Sequence, residues 1–218
     1  MKLCINTPGK SCSNHFPCKH EVAVMLYQFV RAVLKAVYLI PFRFRFTGTE
    51  NIPKRGGIIF CPNHISNHDP ITITIAQKRP LSFMGKDSLF RIPILGWIIR
   101  KIGAFPVKRG AGDIGAVKKA IEIIANGNAL VMFPEGTRNK SEELLLEFKS
   151  GAALVAKKGG GTIVPVAIIG KYRLFSPITV AFGTPVSPES FGEKPDLNAM
   201  MAEVKHQVKK MMENGGCL

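Results

Sequence analysis

The sequence predicts an α/β fold, a largely parallel central sheet flanked by helices, with an N-terminal apolar helix that associates with a membrane. Three observations predict it. Short apolar runs recur at Ile58–Phe60, Leu81–Met84, Ala104–Val107, Ala129–Phe133, Thr162–Ile169 and Ile178–Phe182. They are continuous rather than alternating, as in strands buried on both faces. Helical periodicity separates some of them, at Ile114–Ala125 and Phe148–Lys157, which is the rhythm of strand, helix and strand in a parallel sheet. Ahead of all of them, Val22–Ile40 is almost uninterrupted apolar sequence.

A chain of 218 residues with 46% hydrophobic content fits one domain with a full core and an appendage. Its parts are a polar tail over 1–20, the apolar helix with a Phe/Arg segment over 21–47, and the α/β unit over 48–218. The tail carries Pro8, Gly9 and Pro17 and lacks the apolar core of a signal peptide. Five cysteines, Cys4, Cys12, Cys18, Cys61 and Cys217, are an odd set, and Cys61 falls in a predicted buried strand. That usage argues against a disulfide framework and for a reducing compartment. Cys12, His15, Cys18 and His20 match no strong metal-ligand spacing.

At 1.5 Å per residue Val22–Ile40 is about 29 Å long, enough to cross a bilayer. Its polar members, Gln28, Arg31, Lys35 and Tyr38, recur three and four residues apart and form one stripe. Two cations near mid-helix disfavour a lipid-exposed crossing. The expectation is a helix lying in the interface, with Arg31 and Lys35 toward the head groups. Next comes Phe42-Arg43-Phe44-Arg45-Phe46, which as a strand puts Phe on one face and Arg on the other. A helix packed on the core and followed by an ordinary strand is the alternative reading.

The formal charge is +15 and unevenly spread. Residues 1–120 hold 19 Lys and Arg against 5 Asp and Glu, whereas residues 121–218 hold 11 against 10. A field that one-sided attracts a polyanion or an anionic membrane surface. The basic residues are interleaved with long apolar runs and form no nucleic-acid signature, so the expected partner is a phospholipid surface and not nucleic acid.

The stretch Asn63-His64-Ile65-Ser66-Asn67-His68-Asp69 follows the first buried strand and leads into a helix, with Pro70 suited to a first helical position. Strand ends in α/β sheets are where ligands bind. His64 and Asp69 sit at opposite ends of this short loop. A carboxylate holding Nδ1–H orients the imidazole and makes Nε2 a better base toward a hydroxyl proton. Two other readings fit the same residues: Asp69 as a helix N-cap, and His64, His68 and Asp69 as metal ligands.

Further along stand Lys86, then Gly103-Ala104-Phe105-Pro106-Val107-Lys108-Arg109, then Phe133-Pro134-Glu135-Gly136-Thr137-Arg138. The last ends a strand in a tight turn that exposes a carboxylate and a guanidinium together. Planar Arg forks suit a phosphomonoester; Glu135 suits a hydroxyl or Arg138 itself. No Gly-x-Ser-x-Gly elbow occurs, so a serine acyl-enzyme has no support.

Taken in order, the blocks Asn63-His64-x4-Asp69, Gly-x-Phe-x-x-x-Arg109, Phe-Pro-Glu135-Gly136-Thr-Arg138 and Ile163-Val164-Pro165-Val166 resemble the glycerolipid acyltransferase family. The resemblance runs from about Phe46 to Val186 and is nearest to the bacterial 1-acylglycerol-3-phosphate acyltransferases. It implies a catalytic dyad of His64 and Asp69 and an acceptor site of Arg109, Glu135, Gly136 and Arg138, with Lys86 as a further phosphate contact. It implies no cofactor or metal; the acyl donor is a thioester of coenzyme A or acyl carrier protein. The acceptor is lysophosphatidic acid or a related lysolipid or glycerol 3-phosphate, at the cytoplasmic face of the cell membrane. The rival enzyme is a metal-dependent phosphoesterase. The rival from another class is a basic lipid-binding membrane protein without catalysis.

Overall fold

The computed structural model of the chain describes residues 19–101, 103–107 and 113–216. Its strands are β1 (Arg43–Thr47), β2 (Ile58–Pro62), β3 (Leu81–Lys86), β4 (Ala104–Val107), β5 (Ala129–Val131), β6 (Thr162–Gly170) and β7 (Pro177–Phe182). They form one sheet in the order β1-β7-β6-β2-β5-β3-β4. Each apolar run in the sequence became a strand. Pairing is parallel from β6 across to β4 and between β7 and β1, while β6 and β7 run antiparallel. The six residues between β6 and β7 are too few for a parallel crossover, so the chain must turn straight back.

The helices are α1 (Lys19–Leu39), α2 (Asp69–Ala76), α3 (Pro93–Lys101), α4 (Ile114–Ala125), α5 (Gly151–Gly159) and α6 (Leu197–Glu213). Alternate residues of the central strands serve two cores, which is why those strands read as unbroken apolar runs. Ile59, Cys61, Ile163 and Ala167 pack with residues of α4, α5 and α6. Ile58, Phe60, Val164 and Val166 pack with Ile73 of α2 and with Phe42, Phe44 and Phe46. On edge strand β1 the alternation is as expected: Arg43 and Arg45 are exposed, while Phe44 and Phe46 turn inward. Cys61 is a free, buried thiol whose pKa burial pushes up; Cys4, Cys12, Cys18 and Cys217 lie outside the described residues.

Close approaches set the local geometry. A Cβ on Gly57 would lie 2.3 Å from the Ile124 carbonyl oxygen, so only glycine lets α4 lie against the start of β2. At the N-terminal end of the sheet, Arg79 donates to the carbonyls of Pro53, Gly56 and Gly127 at 3.1, 2.7 and 2.6 Å. That one planar fork ties together three loops. The helix expected from Phe148 begins at Gly151 instead. Phe148 is buried in the core and the Lys149 amide bonds the Pro134 carbonyl at 3.0 Å, so this lead-in braces the turn after β5.

The N-terminal helix forms, but Arg31, expected to face outward, turns onto the protein. Its Nε donates to the Thr74 carbonyl at 3.0 Å, Gln28 donates to Lys78 O at 3.3 Å, and Tyr27 donates to Arg79 O. Lys35 is exposed. The reason lies in the end of α2 and the loop after it. The Thr74 carbonyl, in the last turn of α2, has no helical partner, and Arg31 supplies a donor and a cation at that negative end of the helix. Gln28 and Tyr27 donate to carbonyls of the following loop. Outward faces the apolar stripe Met25, Phe29, Val33, Val37 and Ile40. No helix among the described residues is long and apolar enough to cross a membrane.

Candidate active site

Parallel strands deliver their C-terminal ends to one edge, and that edge collects the residues picked out above. The loop after β2 carries His64, the turn after β5 carries Glu135, Gly136 and Arg138, and Lys86 closes β3. Arg109 lies outside the described residues.

His64 Nδ1 stands 2.8 Å from Asp69 Oδ2. Asp69 is fully buried at the first residue of α2, and its Oδ2 also accepts the Ile65 and Ser66 amides at 2.8 and 2.7 Å. Tyr172 O–H donates to the other oxygen, Oδ1, at 2.9 Å. A carboxylate holding those donors accepts from Nδ1–H, which places the imidazole lone pair on Nε2. The N-cap reading of Asp69 is therefore overturned. His68 occupies the cap position, and the amides on Asp69 come from the loop rather than the helix. Pro70 lies in the first turn, as the second helical residue after Asp69 rather than the first.

The loop is fixed from several directions. Asn63 exchanges two bonds with the Ile168 main chain, donating to its carbonyl at 3.0 Å and accepting its amide at 2.7 Å. The His64 amide donates to Glu135 Oε1 at 2.7 Å, and the His64 carbonyl accepts from Asn139 N–H at 2.7 Å. The imidazole stacks on Phe133 with centroids 3.9 Å apart, leaving the residue 6% exposed. Glu135 takes the Leu146 amide on its second oxygen at 3.1 Å. Burial raises its pKa, and the two amide bonds oppose that rise. Its bonds go to main-chain amides rather than to Arg138, so it braces the His64 loop against the turn.

Gly136 adopts φ +71°, where an L side chain is strained, and its amide closes the turn on Phe133 O at 3.0 Å. Arg138 is exposed and immediately precedes Asn139, whose amide bonds the His64 carbonyl. Lys86 is exposed at the same edge, two strands along from β2. Lys149, which the sequence did not single out, is an exposed cation over Gly136; a Cβ there would lie 3.1 Å from its Nζ.

His68 turns away from the dyad. Its Nδ1 lies 2.7 Å from the Tyr38 hydroxyl, and its ring joins a cluster with Phe42 and Tyr172. Among the described residues no three His, Cys, Asp or Glu side chains are grouped as a metal would need. Tyr172 is the residue that sequence reasoning missed. It is 103 positions from Asp69, in the loop after β6, and no motif marks it. Burial and the Asp69 charge keep its hydroxyl protonated by raising its pKa. Since that proton goes to Asp69, Thr72 Oγ1–H, 2.9 Å away, donates to the Tyr172 oxygen. The arrangement can take a proton at Nε2 and hold the resulting imidazolium. The amides of His64, Ile65 and Ser66 are already engaged, so an oxyanion needs donors elsewhere.

The chain is similar to several known proteins. The chain is 33% identical over 149 residues to the 1-acyl-sn-glycerol-3-phosphate acyltransferase of Borreliella burgdorferi, covering 67% of this chain and 59% of that protein. It is 31% identical to a chloroplastic 1-acyl-sn-glycerol-3-phosphate acyltransferase of Arabidopsis thaliana, covering 68% of this chain and 42% of the plant protein. In both, the match spans less than two thirds of the relative's length. The crystal structure of the 1-acyl-sn-glycerophosphate acyltransferase PlsC from Thermotoga maritima superposes with a TM-score of 0.73 at 26% identity, over 91% of this chain and 84% of that one. A family model described as Acyltransferase matches residues 43–169. That span runs from β1 to the end of β6 and takes in His64, Asp69, Glu135 and Arg138, so the chain belongs to the acyltransferase family.

Proposed function

We propose that this protein transfers a fatty acyl group from a thioester to the free hydroxyl of 1-acylglycerol 3-phosphate, giving phosphatidic acid for phospholipid synthesis. The observation that carries the reading is the His64–Asp69 pair at 2.8 Å, at the strand edge that also carries Lys86, Glu135 and Arg138. The names of the relatives support it. His64 Nε2 removes the acceptor hydroxyl proton as the oxygen attacks the thioester carbonyl, and Asp69 holds the imidazolium. Collapse of the tetrahedral adduct breaks the C–S bond, and the thiolate leaves with the proton from His64. The donor is acyl-CoA or acyl carrier protein, and no cofactor or metal takes part. Arg138, Arg109 and Lys86 hold the acceptor phosphate, while Glu135 and Gly136 set the turn that presents Arg138.

The test is an assay of the purified chain with a panel of lysolipids, glycerol 3-phosphate and both donor types. Phosphatidic acid formed with release of free thiol is the expected result. Lipid binding without thioester turnover would instead mark a non-catalytic lipid-binding protein.

Two residue-level results are expected. Arg138→Lys keeps the charge and loses the fork, so it should raise the acceptor KM clearly and leave the donor KM little changed. An unchanged acceptor KM with a lowered melting temperature would make Arg138 structural. Tyr172→Phe deletes a donor to Asp69, a bond class worth about 1.5–3 kcal/mol, and should lower kcat about tenfold or more. An Asp69 relieved of that donor holds an imidazolium more strongly, so the acid limb of the pH–rate profile should move to higher pH. A lower rate with an unmoved acid limb would remove Tyr172 from a positioning role.

The site works at a membrane surface. α1 lies on the cytoplasmic face of the cell membrane, with Met25, Phe29, Val33 and Val37 toward the lipid and Gln28 and Arg31 on the protein. Vesicle binding should weaken with salt but persist. Phe29→Ser with Val33→Ser should abolish most of it while the core melts as before.

A further inference from the structure

We propose that the loop joining β6 to β7, residues 171–176, is a second lipid-contacting element that seats on an anionic phospholipid surface beside α1. This rests on the reading of α1 as an interfacial helix and extends it to a part of the chain some 130 residues away in sequence.

The first observation is exposure. Leu174 and Phe175 are 68% and 60% exposed, and Ile40, just past α1, is 78% exposed. Single exposed apolar residues are ordinary, but these adjoin. The Phe175 amide donates to the Pro41 carbonyl at 2.7 Å, and the Arg43 amide donates to the Ser176 carbonyl at 3.3 Å. The loop is therefore fastened to the end of α1, and its apolar tip continues the stripe Met25, Phe29, Val33, Val37 and Ile40. Contiguous apolar surface of this kind marks an interaction site.

The second observation is backbone strain. Phe175 sits at φ +60°, and among the described residues it is the one non-glycine residue with positive φ. An aromatic side chain is ill suited to that region, and such outliers persist where surrounding structure over-determines them and function uses them. Glycine or asparagine would form this turn without strain. The residue present supplies an aromatic ring to solvent instead.

The third is charge. Lys171 and Arg173 in the loop, with Arg43 and Arg45 on the neighbouring edge strand, are all exposed. No Asp or Glu occurs from Lys171 to Pro188. Cations ringing an apolar tip suit anionic head groups over acyl chains. A lipid surface is thus the occupant that both the apolar and the charged residues fit. The same loop carries Tyr172, whose hydroxyl meets Asp69 on the inner side. Lipid contact on the outer side therefore steadies the segment that buttresses the dyad.

The experiment uses the full chain with Trp97, its single tryptophan, replaced by Phe. A fluorophore is returned by Phe175→Trp in one protein and by Phe29→Trp in another. Each is mixed with vesicles of phosphatidylcholine and phosphatidylglycerol in equal parts, with bromine on the acyl chains as quencher. Quenching of both is expected. Quenching of Phe29→Trp alone would overturn the loop proposal and leave α1 interfacial. Quenching of Phe175→Trp alone would uphold the loop and overturn the reading of α1. Quenching of neither would overturn both. A second variant guards against misfolding. Phe175→Gly relaxes the backbone and removes the ring, so it should melt no lower than the parent. Together with Leu174→Ser it should weaken partitioning to these vesicles about tenfold; unchanged partitioning would overturn the proposal.

Discussion

His64→Ala is expected to lower turnover about 10²–10⁴-fold and to leave the fold intact. The main-chain bonds that hold the loop, from His64 N–H to Glu135 and from Asn139 N–H to the His64 carbonyl, do not depend on the imidazole. Asp69→Asn should lose comparable activity by a different route. Its amide nitrogen would face donors, since the native carboxylate accepts from Nδ1, two loop amides and Tyr172. Either the loop shifts or the histidine takes the other tautomer, and in both cases Nε2 no longer serves as the base. His68→Ala is the discriminating control. It removes the partner of Tyr38 and a ring from the aromatic cluster, with no bond to the dyad, so it should retain substantial activity. The measurement is thioester release at saturating acceptor, with circular dichroism melting alongside. A His68→Ala protein as inactive as His64→Ala, with activity that needs added zinc, would replace the acyl-transfer mechanism by a metal one.

Glu135→Ala should be the most destabilising of the polar changes at the site. Glu135 is 3% exposed and holds two amides that have no other partner at hand. Each stranded buried donor costs about 1–3 kcal/mol, so a loss of about 3 kcal/mol or more in chemical denaturation is expected, with activity falling as the His64 loop loosens. Glu135→Gln should fall between, since it keeps one acceptor and turns the other into a donor facing a donor. The pH dependence has a definite sign. A carboxyl whose folded pKa stands above the ordinary 4.5 holds its proton more tightly folded than unfolded. Its contribution is complete below about 4.5 and fades as pH rises through the folded value. The stability gap between the native protein and Glu135→Gln should therefore shrink as pH rises from 4.5 toward neutrality. A gap that widened would mean the two amide bonds outweigh burial.

Local chemistry explains how much was legible. The strands β2 and β6 announced themselves because Ile58–Cys61, Ile163, Val164 and Val166–Ile168 pack alternately into the two cores, leaving no polar residue within those stretches. His64 and Asp69 were legible because both partners of the bond lie within one loop, five residues apart. The turn at Gly136 was legible because a backbone at φ +71° favours glycine. Local sequence also placed Arg31 and Gln28 on one stripe of α1, and that grouping was right.

What the stripe faces was another matter. A helix with one polar and one apolar side satisfies the same periodicity whether it shows water the polar side or the apolar one. Free carbonyls in the last turn of α2 and in the loop after it decided it, by drawing Arg31 to Thr74 and Gln28 and Tyr27 to Lys78 and Arg79. Glu135 read as a partner for an acceptor hydroxyl or for Arg138, and it bonds the His64 and Leu146 amides because the fold brought them to it from two loops. Tyr172 meets Asp69, and Phe175 meets Pro41, because the chain turns back from β6 into β7 and β7 pairs with β1. Local sequence was enough for the layered α/β fold and for bringing His64 within reach of Asp69, since burial periodicity and a five-residue loop are local properties. The tertiary structure decided the outward face of α1, the brace at Glu135 and the buttress at Tyr172, because each depends on donors and acceptors that distant segments supply.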